Sequence, residues 1–513
     1  MSHEKESRAR NAGRGGIAVL GAKVFFIFAG LLQQTLLPRA IGLAGYGALA
    51  RVLAISNIFN NVVVAGSTQG VSRAVARAIG AERRAFLSTL RVHVPLAVVL
   101  GGLFAVATPL FARFEGAPYI EKPLLCMAAV LLFYGLYAPI IGLLNGRGQF
   151  TRQAALDVTF AVLRTFGLLV VGFIVVRRGG SGVFGSAFGF ALAAAAIVPL
   201  AAVLARSPTS AAVLPPGATA EVRPLGYLGE LLPLAAAQFF TNAVMQVDIT
   251  LLGHYLSQGG EAKSADEWVA VYRACQLFAF LPYQMLLSVA LVLFPMVARA
   301  KAEGDALGVK TYVERGARLA LIACAAMVSV IVALPRQLLA FAYTGEVADR
   351  GADALRVLAL GQGMYAMMAI ATTVLASLGY ELLSALITLV ALGMVSGGCA
   401  LLVPRAGFGG PQLVAAATGT SVALVCALIA AAVSVARIAG GFVRIASVAR
   451  VLFALAAVAL LGRVLPDHAS RLFTPVFAVA IAVAFLLVLL ATRELTRSDA
   501  AALRAMRGRG PSI

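Results

Sequence analysis

Apolar runs of about 20 residues recur from Gly15 almost to the end of the chain, separated by short polar segments. Each run is long enough to cross roughly 30 Å of hydrocarbon as a helix. The runs are continuously apolar and rich in Ala, Leu and Val. Membrane β-strands would instead alternate over about ten residues, so the pattern predicts helices rather than a barrel. It places them at about 15–37, 45–68, 86–111, 120–144, 155–176, 183–205, 227–256, 268–297, 311–335, 352–376, 382–403, 411–436, 444–464 and 472–492. The expected fold is all-α, a polytopic membrane protein of about fourteen transmembrane helices.

Composition agrees. Of 513 residues, 61% are hydrophobic and 12% charged, against about 45–50% and about 25% in soluble chains. No stretch is polar enough to form a soluble domain. The net charge of +20 would suit nucleic acid, but the 42 Lys and Arg residues are scattered through short loops. No basic domain interleaved with aromatics appears, so no nucleic-acid partner is expected. With the N-terminus inside, the cytoplasmic segments gather most of the cations. They include Arg73, Arg77, Arg83, Arg84, Arg147, Arg152, Arg299, Lys301, Lys310 and the tail arginines Arg493, Arg497, Arg504, Arg507 and Arg509. That bias predicts both termini in the cytoplasm. The acidic loop Ser257–Glu267 suits the outer side, whereas the doublet Arg177–Arg178 runs against the trend.

An internal repeat underlies the helices. Tyr46 and Tyr272, like Arg73 and Arg299, lie 226 positions apart, and Gly182-Val-Phe-Gly185 is matched 225 positions on by Gly407-Phe-Gly-Gly410. The chain divides accordingly into a basic N-terminus (1–14), a six-helix lobe (15–205), a Pro-rich cytoplasmic linker (206–226), a second six-helix lobe (227–437), a helix pair (438–492) and a basic tail (493–513). The two lobes are expected to be pseudo-symmetric, related by an axis along the membrane normal.

Catalytic signatures are lacking. Gly180-Ser-Gly182-Val-Phe-Gly185 fits GxGxxG, yet no strand precedes it and no acid follows within 20 residues. A tight turn into a helix explains it better than a dinucleotide site. The five cysteines, all in apolar segments, are expected as reduced core residues, and the four histidines are too dispersed for a metal site. No cofactor, metal or enzymatic activity is expected.

Polar residues within the apolar runs are the informative ones, because a charge at mid-bilayer usually faces a cavity or a partner. In helix one, Lys23, Gly30 and Gln34 share a face. In helix eight Arg273, Gln276, Phe280 and Gln284 do the same, and Arg51 stands early in helix two. Lys23, Arg51 and Arg273 with Gln34, Gln276 and Gln284 form the candidate substrate site. Gln238, Thr241 and Asp248 line helix seven, and Asp157 and Arg164 share a face of helix five. Asp248, Asp157 and Arg164 are candidates for ion coupling or charge pairing. Asp157 would alternatively suit the helix start, Asp248 a pairing with Arg273, and Lys23 or Arg51 the membrane interfaces.

Several local motifs also carry a family resemblance. In the first half they are Leu37-Pro-Arg-Ala-Ile-Gly42, Gly45-Tyr-Gly47 and Gly70-Val-Ser-Arg73. In the second, Asp248 with Leu252-Gly253 precedes Val271-Tyr-Arg-Ala274, Leu293-Phe-Pro-Met-Val-Ala-Arg299 and Glu303-Gly-Asp305, followed by Leu375–Gly379 and Gly407–Gly410. Together they resemble the bacterial polysaccharide flippases of the multidrug/oligosaccharidyl-lipid/polysaccharide exporter superfamily. The resemblance implies turning an undecaprenyl-diphosphate-linked oligosaccharide across the bacterial inner membrane by alternating access, for O-antigen, capsule or exopolysaccharide assembly. The implied partners are that polyprenyl-diphosphate-linked oligosaccharide, membrane lipids and polysaccharide polymerase or other assembly proteins. The resemblance also implies two six-helix lobes around a central cavity, and a cavity of fixed cations would suit the diphosphate. The alternatives are a drug or cation antiporter of the same superfamily, a lipid II flippase, and a non-transporting scaffold of an assembly complex.

Overall fold

The computed structural model describes residues 21, 25, 26, 28–78, 80–206, 224–465 and 473–495. Lys23, the N-terminus 1–14, most of the linker 206–226 and the tail beyond 495 lie outside the described residues. Those that are described form helices and short connections, with no strand among them. Helix α1 is described over 28–41. It is followed by α2 (Leu43–Arg77), α3 (Glu82–Phe114), α4 (Glu121–Gly146), α5 (Phe150–Phe166), α6 (Gly172–Arg177), α7 (Gly182–Leu204), α8 (Pro224–Gly259) and α9 (Ala262–Ala279). Next come α10 (Leu281–Ala302), α11 (Ala306–Ala333), α12 (Pro335–Ala342), α13 (Gly345–Ser377), α14 (Glu381–Leu402), α15 (Gly410–Ala439), α16 (Ile445–Gly462) and α17 (Thr474–Ala491).

Eleven of the described segments are long and apolar enough to cross a membrane, and the chain is an integral membrane protein. Large apolar side chains such as Val106, 80% exposed, face outward, as lipid rather than water would have it. The expected count of fourteen is not reached among the described residues. Helix α1 is described only in part, α8 carries Glu230, Asp248 and His254, and the expected helix eight divides into α9 and α10. Cys275, Cys324 and Cys399 are buried as expected, but Cys126 is half-buried and Cys426 exposed. A thiol is apolar enough to face hydrocarbon as readily as a core.

The chain separates into two compact units, Met1–Ala270 and Val271–Ile513. In the first, α4 packs against α2, α3 and α7, while α5 and α6 lie on α7 and α8 runs along α2. In the second, α13 packs against α10, α11 and α15, and α14 lies on α15. The same packing order therefore appears in both, with α2, α3, α4 and α7 matched by α10, α11, α13 and α15. The match has one instructive break. Helix α2 is continuous, whereas its counterpart parts at Phe280 into α9 and α10. Pro282 stands 226 positions after Ser56, and a proline has no N–H to give the carbonyl one turn back. The ladder resumes around it through Phe280 N–H to Gln276 O (3.0 Å) and Gln284 N–H to Phe280 O (3.2 Å).

Small residues let the helices approach closely. A Cβ at Gly189 of α7 would lie 1.9 Å from the Gly167 carbonyl oxygen in the π turn joining α5 to α6. At Gly47 of α2 it would lie 1.7 Å from the Asp266 carbonyl oxygen of α9. Neither backbone can yield cheaply. Gly47→Ala should therefore destabilise the protein in thermal unfolding by about 1–3 kcal/mol. Gly45→Ala, whose Cβ would meet only Ile41 at 3.5 Å, should be neutral or stabilising; equal losses from both would show that the α2–α9 contact is unimportant.

The turn at Gly179–Ser181 behaves as its sequence suggests. Gly179 has φ +78° and Ser181 caps α7 by accepting from Phe184 N–H. In the second unit, α16 and α17 pack on α11 through Ile322, Val451, Val458, Ile481 and Phe485. Glu494 closes that seam, with Arg318 Nε at 2.8 Å and Arg450 Nη1 at 3.1 Å. Burial alone would raise the Glu494 carboxyl, but hydrogen bonds from Arg318, Ser447 and Arg450 outweigh it and hold the group below its ordinary value.

Candidate functional site

Helices α1, α2 and α8 bring an unusual number of amides into the interior of the first unit. Gln33, Gln34, Asn60, Asn242 and Gln246 are all buried, as is Asp248. Gln34 Oε1 accepts from the Tyr46 hydroxyl at 2.8 Å, and Asn61 Nδ2 donates to Asn242 Oδ1 at 2.7 Å across α2 and α8. Gln33 Nε2, Asn60 Nδ2 and Gln246 Oε1 are buried without a hydrogen-bond partner among the described residues. Such groups cost free energy unless something polar comes to meet them. Nearer the other end of α2, Ser67 Oγ and the Tyr227 hydroxyl flank the two ring nitrogens of buried His93, at 3.1 and 2.9 Å.

Arg51 points into the protein rather than out of it. Its side chain is wholly buried, with Nη1 3.1 Å from Glu115 Oε2 and Nε 2.8 Å from Asp266 Oδ1. Nη1 also donates to the Gly253 carbonyl (2.8 Å) and to Ser257 Oγ (2.9 Å). In this conformation the guanidinium ties together α2, the α3–α4 turn, α8 and α9. Asp266, which the sequence places in an exposed acidic loop, instead lies in the first turns of α9 and is buried. Its Oδ2 accepts from the Tyr119 hydroxyl at 2.5 Å.

Arg164 sits over two aromatic rings, 5.7 Å from the Phe26 centroid and 5.2 Å from that of Phe190. Among the described residues its contacts are thus cation–π ones and a hydrogen bond with Tyr134 rather than a carboxylate. Asp157 lies in the second turn of α5, which begins at Phe150 rather than near 155. That is beyond the first turn, where an acid best meets the helix dipole. Asp248 Oδ1 accepts from Ile249 N–H at 2.8 Å.

In the second unit, half-buried Arg273 donates from Nη1 to Oε1 of fully buried Gln276 at 3.0 Å. Gln284, half-buried, follows on α10 beyond the Phe280 break. Arg273 and Gln276 therefore act as a pair on α9, and Gln284 is set apart from them by the kink.

The fold is a multi-helix membrane one with polar residues threaded through its interior, and known proteins share it. Residues 12–301, more than half of the chain, match the model of the family described as polysaccharide biosynthesis protein. The chain belongs to that family. Residues 233–397 also match the model named MatE. Among solved structures, lipid II flippase MurJ in its inward closed conformation superposes with a TM-score of 0.70 at 13% identity, covering 94% of this chain and 99% of that one. An inward-facing multidrug resistance MATE family transporter of the MOP superfamily gives 0.65 at 17% identity, covering 82% of this chain and 98% of its own. A curated relative, the probable multidrug resistance protein NorM of Deinococcus radiodurans, is 35% identical over 143 residues, 28% of this chain and 29% of that protein's length. These neighbours are transporters and a flippase rather than enzymes, which agrees with the sequence resemblance.

Proposed function

We propose that the protein is a flippase that carries an undecaprenyl-diphosphate-linked oligosaccharide between the leaflets of a bacterial inner membrane by alternating access, with both termini in the cytoplasm. The observation that carries this reading is the polysaccharide biosynthesis match across residues 12–301. Side-chain chemistry supports it. A diphosphate wants cations, which Lys23 and Arg273 supply, and sugar hydroxyls both donate and accept, as the amides of Gln34, Gln276 and Gln284 do. Arg51 is already committed to Glu115 and Asp266, so the headgroup role passes to the other two cations. Expected partners are polysaccharide polymerase and assembly proteins.

The MatE match over 233–397 favours a second reading, a drug or cation antiporter, in which Asp248 would meet a cation. Proteoliposomes decide between them. A fluorescent polyprenyl-diphosphate oligosaccharide should reach the opposite leaflet at least about tenfold faster with the protein than without it, a change of about 1.4 kcal/mol. A cationic dye should not move faster. Accelerated dye flux with no lipid flipping would overturn the flippase reading.

A further inference from the structure

The buried charges around Arg51 do not balance. One guanidinium faces two carboxyls, with Arg51 and Glu115 wholly inaccessible and Asp266 6% exposed. A net negative charge without water is unfavourable enough that one carboxyl takes a proton instead. The geometry shows where the proton goes. Asp266 is met at Oδ1 by Arg51 and at Oδ2 by the Tyr119 hydroxyl. Glu115 accepts from Arg51 only at Oε2, while its Oε1 is buried with no hydrogen-bond partner among the described residues. That oxygen has the lone pair to spare.

We propose that Glu115 is a proton-binding site which, through Arg51 and Asp266, makes the hold of α2 and the α3–α4 turn on the start of α9 depend on proton occupancy. With Glu115 neutral, Arg51 and Asp266 form a balanced pair. With Glu115 ionised, two carboxylates compete for one guanidinium and repel each other. The contact that gives way is the one on α9, because Arg51 and Glu115 are already held together by the packing of α2 against α3 and α4.

Burial pushes the Glu115 carboxyl from 4.5 up to about 7, against the opposing pull of Arg51 and with added repulsion from Asp266. Burial raises Asp266 as well. A raised carboxyl value means that the closed cluster binds more protons than an open, solvated one between about 4.5 and about 7. Closure is therefore favoured on the acid side and weakened as pH rises through that window. The titratable and charged groups around Glu115 are Arg51 of α2, Tyr119 at the start of α4, His254 of α8 and Asp266 of α9. His254 donates from Nδ1 to the Phe114 carbonyl and accepts at Nε2 from the Gln258 amide.

The inference stands on the cluster's charge balance and needs no particular substrate. Its test likewise uses none, so its failure would leave the flippase reading untouched. The chain has a single tryptophan, Trp268, which stands two positions after Asp266 on α9 and reports on that segment without a label. Fluorescence of the purified full-length protein in lipid nanodiscs, titrated from about pH 5 to about pH 9, should show one transition with a midpoint near neutrality. Glu115→Gln, which imitates the protonated acid, should abolish it. Asp266→Asn, which removes the competing carboxylate, should move it to the acid side. Absence of a transition in the native protein, or an unchanged midpoint in Glu115→Gln, would overturn the proposal. Should Glu115→Gln fail to fold, an unmoved midpoint in Asp266→Asn would do the same.

Discussion

Replacing Arg51 with methionine should cost about 3–5 kcal/mol of stability, the largest loss expected from any single substitution discussed above. The side chain is wholly buried beside two carboxyls. Its removal leaves those groups without a counter-charge and strips donors from the Gly253 carbonyl and Ser257 Oγ. Methionine fills much of the same volume, so the loss reports charge rather than a cavity. Adding Glu115→Gln and Asp266→Asn to Arg51→Met removes the stranded charges and should recover most of the loss. Thermal unfolding in detergent compares the three proteins. A single variant within about 1 kcal/mol of the native protein would mean that the cluster is incidental to the fold.

Neutralising Lys23 and Arg273 together, as Lys23→Gln and Arg273→Gln, should slow lipid translocation by at least about a hundredfold. On the proposed reading each removes a charge-assisted contact to the diphosphate worth about 1.5–3 kcal/mol, and about 1.4 kcal/mol is a factor of ten. Either single variant should retain measurable activity, about tenfold down. The fixed position of Arg273 against Gln276 Oε1 is what makes its loss costly, because a side chain already ordered pays little entropy on binding. Membrane insertion, followed by protein abundance in the membrane fraction, should not change. Native rates from the double variant would sink the idea that cations hold the headgroup.

Much of the architecture could be read from hydropathy because a bilayer imposes one rule on every spanning segment: satisfy the backbone internally and keep the outside apolar. The spacing of Tyr46 and Tyr272 exposed the repeat because both fall at matching, almost fully buried positions. Glu115 and Asp266 were illegible as a pair. They lie far apart in sequence, and each looks like an ordinary surface acid next to a turn. Only the long-range packing of α2, α8 and α9 buries them around Arg51. Arg164 was legible only as a cation needing something beyond Asp157, which lies two turns away on the same face; the rings of Phe26 and Phe190, on other helices, could not be named from the pattern. Buried amides such as Gln33 and Asn60 carried a signal in their mere presence within apolar runs, though nothing in the pattern told lining from packing.

Pro282 makes the two units different in kind. Matching places in their packing order hold a continuous helix in one and a divided one in the other, with Ser56 where the second has its proline. Where one has a rod, the other has an elbow.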